Sequence, residues 1–187
     1  MIRTDVEFAN MVYGLVAKSE STVVDYKALL CLDNDAEKAE FIKDFVGFAN
    51  TVMLKGIPSY ILFGYDEKKG EFFNIFASQI PGKEFKRWWN PEESEDRNIS
   101  NVTHRISQLI RTDNIKPIAP LYDPEFGKLD VEVETKEGKK ISKQVLVGYL
   151  KIYPSFYPET PYHICNENYI KKLVTTQAML KVINERC

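Results

Sequence analysis

Cysteine and histidine are scarce in this chain. Cys31, Cys165 and Cys187 show no C-x-x-C spacing, and only His104 and His163 accompany them. Those numbers exclude a disulfide framework and argue against a structural zinc site. An odd, sparse cysteine count fits a reducing compartment, so a cytoplasmic protein is expected. The phosphate-cradling pattern G-x-x-x-x-G-K-[ST] is missing, which leaves no sequence mark of an ATP site. No apolar run approaches the length of a membrane span. Asp5 and Glu7 interrupt the N-terminal stretch where a signal peptide would be apolar. No Ser or Cys stands with a His in a pattern that would make it a nucleophile. An excess of positive charge is lacking too, the formal net charge being −2. Any grip on nucleic acid must then come from a local basic patch, not from the global field.

What is present is an ordinary globular composition, 44% hydrophobic and 28% charged over 187 residues, with ten Tyr and eleven Phe. That length makes one domain with a proper core, 1–187, and is short for two. Phe8, Met11, Val12, Leu15 and Val16 share one helical face, predicting a helix over about 6–17. Asp33-Asn34-Asp35 turns the chain, and Asn34 or Asp35 can cap a second helix carrying Phe41, Ile42, Phe45, Val46, Phe48 and Ala49, ending near Asn50 or Thr51. Tyr60 to Phe63 reads as a buried strand, turning through Lys68-Lys69-Gly70 into a partner over Phe72–Ala77. The polar stretch Pro81–Ser100 reads as a long loop with room for a short helix, and Ile99, Val102, Ile106, Leu109 and Ile110 give a third amphipathic helix. Leu129, Val131 and Val133 alternate as a strand, Lys136 to Lys139 makes a hairpin turn, and Val145 to Ile152 returns as an inner strand. Thr176 would cap a short terminal helix. The sum is an α+β fold, a mixed sheet packed with a few helices.

Chemistry concentrates in Glu20 to Lys27, ESTVVDYK. In an extended strand Asp25 and Lys27 point to one face, with Val24 and Tyr26 on the other. A carboxylate and an ammonium so placed can hold a divalent metal and, beside it, a positive charge for a strained phosphate. Glu20, just ahead of the strand, is in reach of the same metal. The spacing alone is unspecific: acid-x-Lys recurs at Asp66/Lys68, Glu67/Lys69, Glu134/Lys136 and Glu137/Lys139, and a solvated ion pair is its ordinary meaning. Lys83, Lys86 and Arg87 interleave with Trp88 and Trp89, a pattern that suits phosphate contact and base stacking. The commoner fate of such a tryptophan pair is packing on the core. Asn50, at an expected helix end, reads as a C-cap.

Three blocks stand in order along the chain: Glu20-Ser21 followed by Asp25-Tyr26-Lys27; Phe48-Ala49-Asn50-Thr51 leading to Ile61-Leu62-Phe63-Gly64-Tyr65-Asp66; and Val147 to Pro154 with Tyr169-Ile170-Lys171 and Ala178. Together they resemble the Schlafen core, an AlbA-like domain family once labelled a divergent ATPase. The first is similar to the family's E-S-x-x-x-E-F-K, the second to A-F-A-N-T-x-G-G and a strand ending G-V-x-D, and the third to its closing strand and Y-I-R…A signature. The paired glycines are replaced by the longer Val52–Ser59, Asp25 and Lys171 stand for a usual Glu and Arg, and the frequent helicase-like extension does not follow. The resemblance implies one AlbA-like lobe and a nucleic-acid-processing function, a metal-dependent endoribonuclease acting on structured RNA such as tRNA. It implies that Glu20, Asp25 and Asp66 bind Mg²⁺ or Mn²⁺, that Lys27 is the accompanying lysine, and that Asn50 braces the acidic cluster. Lys83, Lys86, Arg87, Lys171 and Lys172 are the expected nucleic-acid contacts. The alternative is a non-catalytic DNA- or RNA-binding regulatory domain. A homodimer is expected, since one lobe offers a small basic face; the strand over 145–152 and the segment over 169–174 are its expected interface.

Overall fold

A computed structural model describes residues 1–19, 21–77, 89–111, 113–134, 138, 140–154 and 161–174. The fold is α+β, built on a mixed four-stranded sheet in the order β1-β2-β7-β6. In chain order the elements are α1 (Val6–Val16), β1 (Val24–Lys27), α2 (Asp35–Lys55), β2 (Ser59–Phe63), β3 (Tyr65–Asp66), β4 (Glu71–Phe72), α3 (Glu95–Leu109), β5 (Ile115–Lys116), β6 (Tyr122–Glu134), β7 (Lys140–Ile152) and β8 (His163–Ile164), then a helix over 167–174. β1 and β2 run parallel, joined by α2, while β7 is antiparallel to both β2 and β6.

Period-two alternation sorts the sheet's side chains between two cores. Ile61, Phe63, Phe126, Leu146, Leu150 and Ile152 face α2 and α3. Leu62, Leu129, Val145, Val147 and Tyr149 face Phe8, Val12 and Leu15 of α1. The sheet is thus the middle of three layers. On β7 Gly148 lies opposite Phe126, whose ring occupies the space a Cβ would need.

Local chemistry sets the helix ends. The Asp5 side chain accepts from the Phe8 N–H and caps α1. The Asn34 side chain accepts from the Glu37 N–H at 3.0 Å, while the Asp33 N–H donates to the Glu37 carboxylate at 2.7 Å, a reciprocal pair that starts α2. The helix continues past Thr51 to Lys55, because the left-handed residue that stops it is Gly56, at φ 66°. Asn50 is therefore mid-helix. Its side chain pairs in both directions with the Tyr162 backbone, donating to the carbonyl at 3.0 Å and accepting from the N–H at 2.7 Å.

Two other elements depart from expectation. The strand after Lys68-Lys69-Gly70 is only Glu71–Phe72, and Ile75 and Phe76 instead plug into the core. α3 begins at Glu95, ahead of Ile99, the first apolar residue of the expected third helix: Ser94 accepts from the Arg97 N–H, and Glu95 and Asp96 sit in the first turn, where the helix dipole favours them. β7, expected to lend an interface, is an interior strand with Val145 to Leu150 buried. Trp89 lies on the core, its ring 3.9 Å from that of Phe76. The expected terminal helix at Thr176 lies outside the described residues.

Candidate functional site

β1 is an edge strand of the sheet, with Asp25 beside Ile61 and Lys27 beside Phe63. Ile61 and Phe63 point into the α2-facing core, so Asp25 and Lys27 emerge on the face that α2 crosses. There the helix supplies a third ionic group. The Lys27 ammonium donates to Asp25 Oδ2 at 2.9 Å and to Asp44 Oδ2 at 2.8 Å. The carboxylates are well covered, Asp25 at 13% and Asp44 at 20% exposure, and Lys27 is 39% exposed. Burial works to lower the Lys27 pKa, but hydrogen bonds to Asp44 and then Asp25, with their charges, outweigh it and hold the ammonium above its ordinary range. Lys43 lies 3.7 Å from the other Asp44 oxygen and pairs with Glu40.

The backbone around β1 explains why this group is held firmly. The Gly64 N–H donates to the Lys27 carbonyl at 2.7 Å. Gly64 itself sits at φ 95°, and a side chain there would strike the Phe73 carbonyl and Val147. That turn ends β2 and starts β3, where Tyr65 packs edge-on against Tyr26 on the far face from Lys27.

Beside the clamp is an open cleft of about 400 Å³. Leu30, Phe41, Ile61 and Phe63 floor it, and Glu37, Glu40 and Asp44, spaced along one side of α2, rim it with Lys27 and Cys31. Cys31 is not in a disulfide.

Asp66 has local work. Its Oδ1 accepts from the Lys68 N–H at 3.0 Å and the Lys69 N–H at 3.3 Å, its Oδ2 lies 3.7 Å from the Lys69 ammonium, and its carbonyl accepts from the Gly70 N–H. It caps the β3–β4 turn. Glu20, Lys83, Lys86 and Arg87 lie outside the described residues. Lys171 pairs with Glu167 at 3.4 Å on the exposed face of the helix over 167–174. The charge of Lys172 reaches Asp35, whose carboxyl is held below its ordinary range by Lys38 first and by Lys172 to a lesser degree. Lys172 is thus placed at the same end of α2 as the cleft.

Among the described residues, no group of three His, Cys, Asp or Glu side chains is arranged to hold a metal ion. What is arranged is a pair: Asp25 and Asp44 converge on one cation position, occupied by the Lys27 ammonium. Asp44 is the member of this ionic group that the sequence does not single out. Its signal was faint, an acid beside the apolar stripe of α2 in register with Glu37 and Glu40. No family model matches the chain, and a search of curated proteins finds none that matches.

Proposed function

We propose that this chain is a Schlafen-like nucleic-acid-processing domain, a metal-dependent endoribonuclease acting on structured RNA such as tRNA, with Asp25, Lys27 and Asp44 at its centre. The observation that carries the reading is the clamp: two well-covered carboxylates aimed at one cation position on an edge strand, at the mouth of an open cleft. Their donor set fits the implied Mg²⁺ or Mn²⁺, since both ions prefer carboxylate oxygen and each keeps several waters. Asp25 and Asp44 would hold the ion, with Glu20 as a further carboxylate of the same segment. When bound, it supplies Lewis acidity toward a phosphoryl oxygen and a more acidic water. Lys27, charged throughout the neutral range, donates to negative charge on a phosphate that enters the cleft mouth.

The acidic rim sharpens the test. Without a bound cation, carboxylates facing the cleft repel a phosphate, so engagement of nucleic acid at this site depends on the metal. Incubation with mixed tRNA and DNA, with Mn²⁺ and then with chelator, should give RNA cleavage only with the metal. Cleavage should be lost in Asp25→Asn and Asp44→Asn. Lys27→Ala should slow cleavage far more than it weakens RNA binding, because only stabilisation specific to the transition state alters the chemical step. Intact RNA under all conditions, with binding retained, favours the second reading, a non-catalytic DNA- or RNA-binding regulator. Its supporting observation is that Asp66, the third expected ligand, is engaged in its own turn.

The same reading pairs two copies into a wider grip for a folded RNA in the cytoplasm. With β7 interior, the helix over 167–174 is what remains of the expected interface, and Ile170 and Val174 are exposed on it. Light scattering at micromolar protein decides this, and a monomer that cleaves RNA removes the dimer alone.

A further inference from the structure

The cleft beside Lys27 has a second property that cutting a phosphodiester does not use. We infer that it is a binding site for a small planar aromatic group whose edge carries N–H donors or positive charge. Its volume of about 400 Å³ falls within the range of small-molecule pockets, roughly 300–1,000 Å³. Its floor is apolar: Leu30, Ile61 and the rings of Phe41 and Phe63, which stack with centroids 6.4 Å apart. A flat ring is the shape that covers such a floor with most contact.

The rim decides the ligand's polarity. Glu37, Glu40 and Asp44 bring carboxylates to the edge of the cleft. The cations near them are committed, Lys27 to Asp25 and Asp44, and Lys43 to Glu40 and Asp44. Each carboxylate offers about four lone-pair directions, so the acceptor capacity left on Glu37, Glu40 and Asp44 after these pairs exceeds the few N–H donors left on the two ammonium groups. Glu37 gives one oxygen to the Asp33 N–H and keeps the other. A ligand with amidine, guanidine or amino hydrogens meets complementary oxygens, and an anion of the same shape meets repulsion. The donor edge of a nucleobase and a free aromatic amine share this chemistry.

Cys31 reports on occupancy, because it lines the same cleft. Alkylation of the intact chain by iodoacetamide is followed by peptide mass spectrometry, with Cys165 as the internal reference. The probes are benzamidine, the isosteric anion benzoate, and guanosine. Benzamidine should slow Cys31 labelling and leave Cys165 unchanged, and benzoate should have no effect. Protection by guanosine as well identifies a nucleobase as the natural source, and protection by benzamidine alone identifies a free cation. Glu40→Gln should weaken benzamidine about tenfold, the loss of one charge-assisted hydrogen bond. Glu40 is a surface residue of α2, so this variant should keep the parent circular dichroism. Should it unfold, the benzamidine-to-benzoate comparison on the parent chain still decides. Equal protection by benzamidine and benzoate, or none by any probe at millimolar concentration, overturns the inference. The readout is binding without cleavage, so its failure and the failure of the nuclease reading are separate results.

Discussion

Replacing Lys27 by Met is the most direct interrogation of the clamp, because it keeps the stem that packs along β1 and removes only the ammonium. Two charge-assisted hydrogen bonds disappear, worth about 1.5–3 kcal/mol each where water is excluded. Lys27 is 39% exposed, so screening takes the pair toward the lower end of that scale. Relief of burying the ammonium offsets part of the loss. A second effect adds to it: Asp25 and Asp44, each within 3 Å of the departed nitrogen, now face one another. Like charges ~5–6 Å apart repel by roughly 1–3 kcal/mol at an effective dielectric of 20 or above. A net destabilisation of about 2–3 kcal/mol near neutral pH follows.

The repulsion part has a signature that lost hydrogen bonds lack. In the variant the two carboxylates repel only while both are ionised, so the penalty stands at neutral pH and lifts as acid protonates one of them. Urea unfolding followed by circular dichroism should therefore show a smaller deficit at about pH 4.5 than at about pH 7.5. Mn²⁺ should restore the variant's stability near neutrality, by about 1.4 kcal/mol at ten times its Kd, since two carboxylates converge on the vacated position. The parent should gain less, because its own ammonium competes for that position. A deficit that is equal at both pH values and blind to Mn²⁺ would refute the convergence and reduce Lys27 to a packing residue.

Asn50→Ala removes both side-chain bonds to Tyr162 and should cost about 2–3 kcal/mol in urea unfolding, with faster hydrogen exchange at the Tyr162 amide; unchanged exchange there would show that the segment is held without Asn50. The Asp5 carboxyl is lowered from 3.8 to about 2, by its hydrogen bond with Arg3 first and the Phe8 N–H next. A depressed carboxylate contributes stability above its unfolded pKa and loses it as pH falls through the folded value, so the contribution fades between about pH 4 and pH 2. Asp5→Ala should flatten that part of the stability–pH curve, and an acid limb of unchanged steepness would assign the acid response to other groups.

Features set by neighbours in sequence were legible, and features set by a crossing of elements were not. Alternation along β1 placed Asp25 and Lys27 on one face without reference to anything else, and Asn34 capped α2 where its side chain reached the third residue on. Asp44 gains its role only because α2 crosses over the edge strand with that side of the helix down, a fact of the βαβ packing that no local pattern carries. The continuous apolar run over 145–150 did hold its answer: a strand buried on both faces has neighbours on both sides, so it has no free surface for a second chain.

Asp66 illustrates the competition between the two kinds of information. An acid at the end of the strand after Asp25-x-Lys27 reads as a third ligand, but Asp-x-Lys-Lys-Gly is equally a turn. The local partners have the advantage, because the Lys68 and Lys69 N–H groups are brought to Asp66 by closing a loop of a few residues, whereas a shared metal needs distant segments ordered first. A side chain with two satisfied acceptor bonds in its own turn leaves it only for a stronger attraction. A divalent ion held by Asp25 and Asp44 is a candidate for that attraction. If it recruits Asp66, amide exchange at Lys68 and Lys69 should rise when Mn²⁺ is added. If the turn keeps its cap, those amides stay protected while the clamp alone responds.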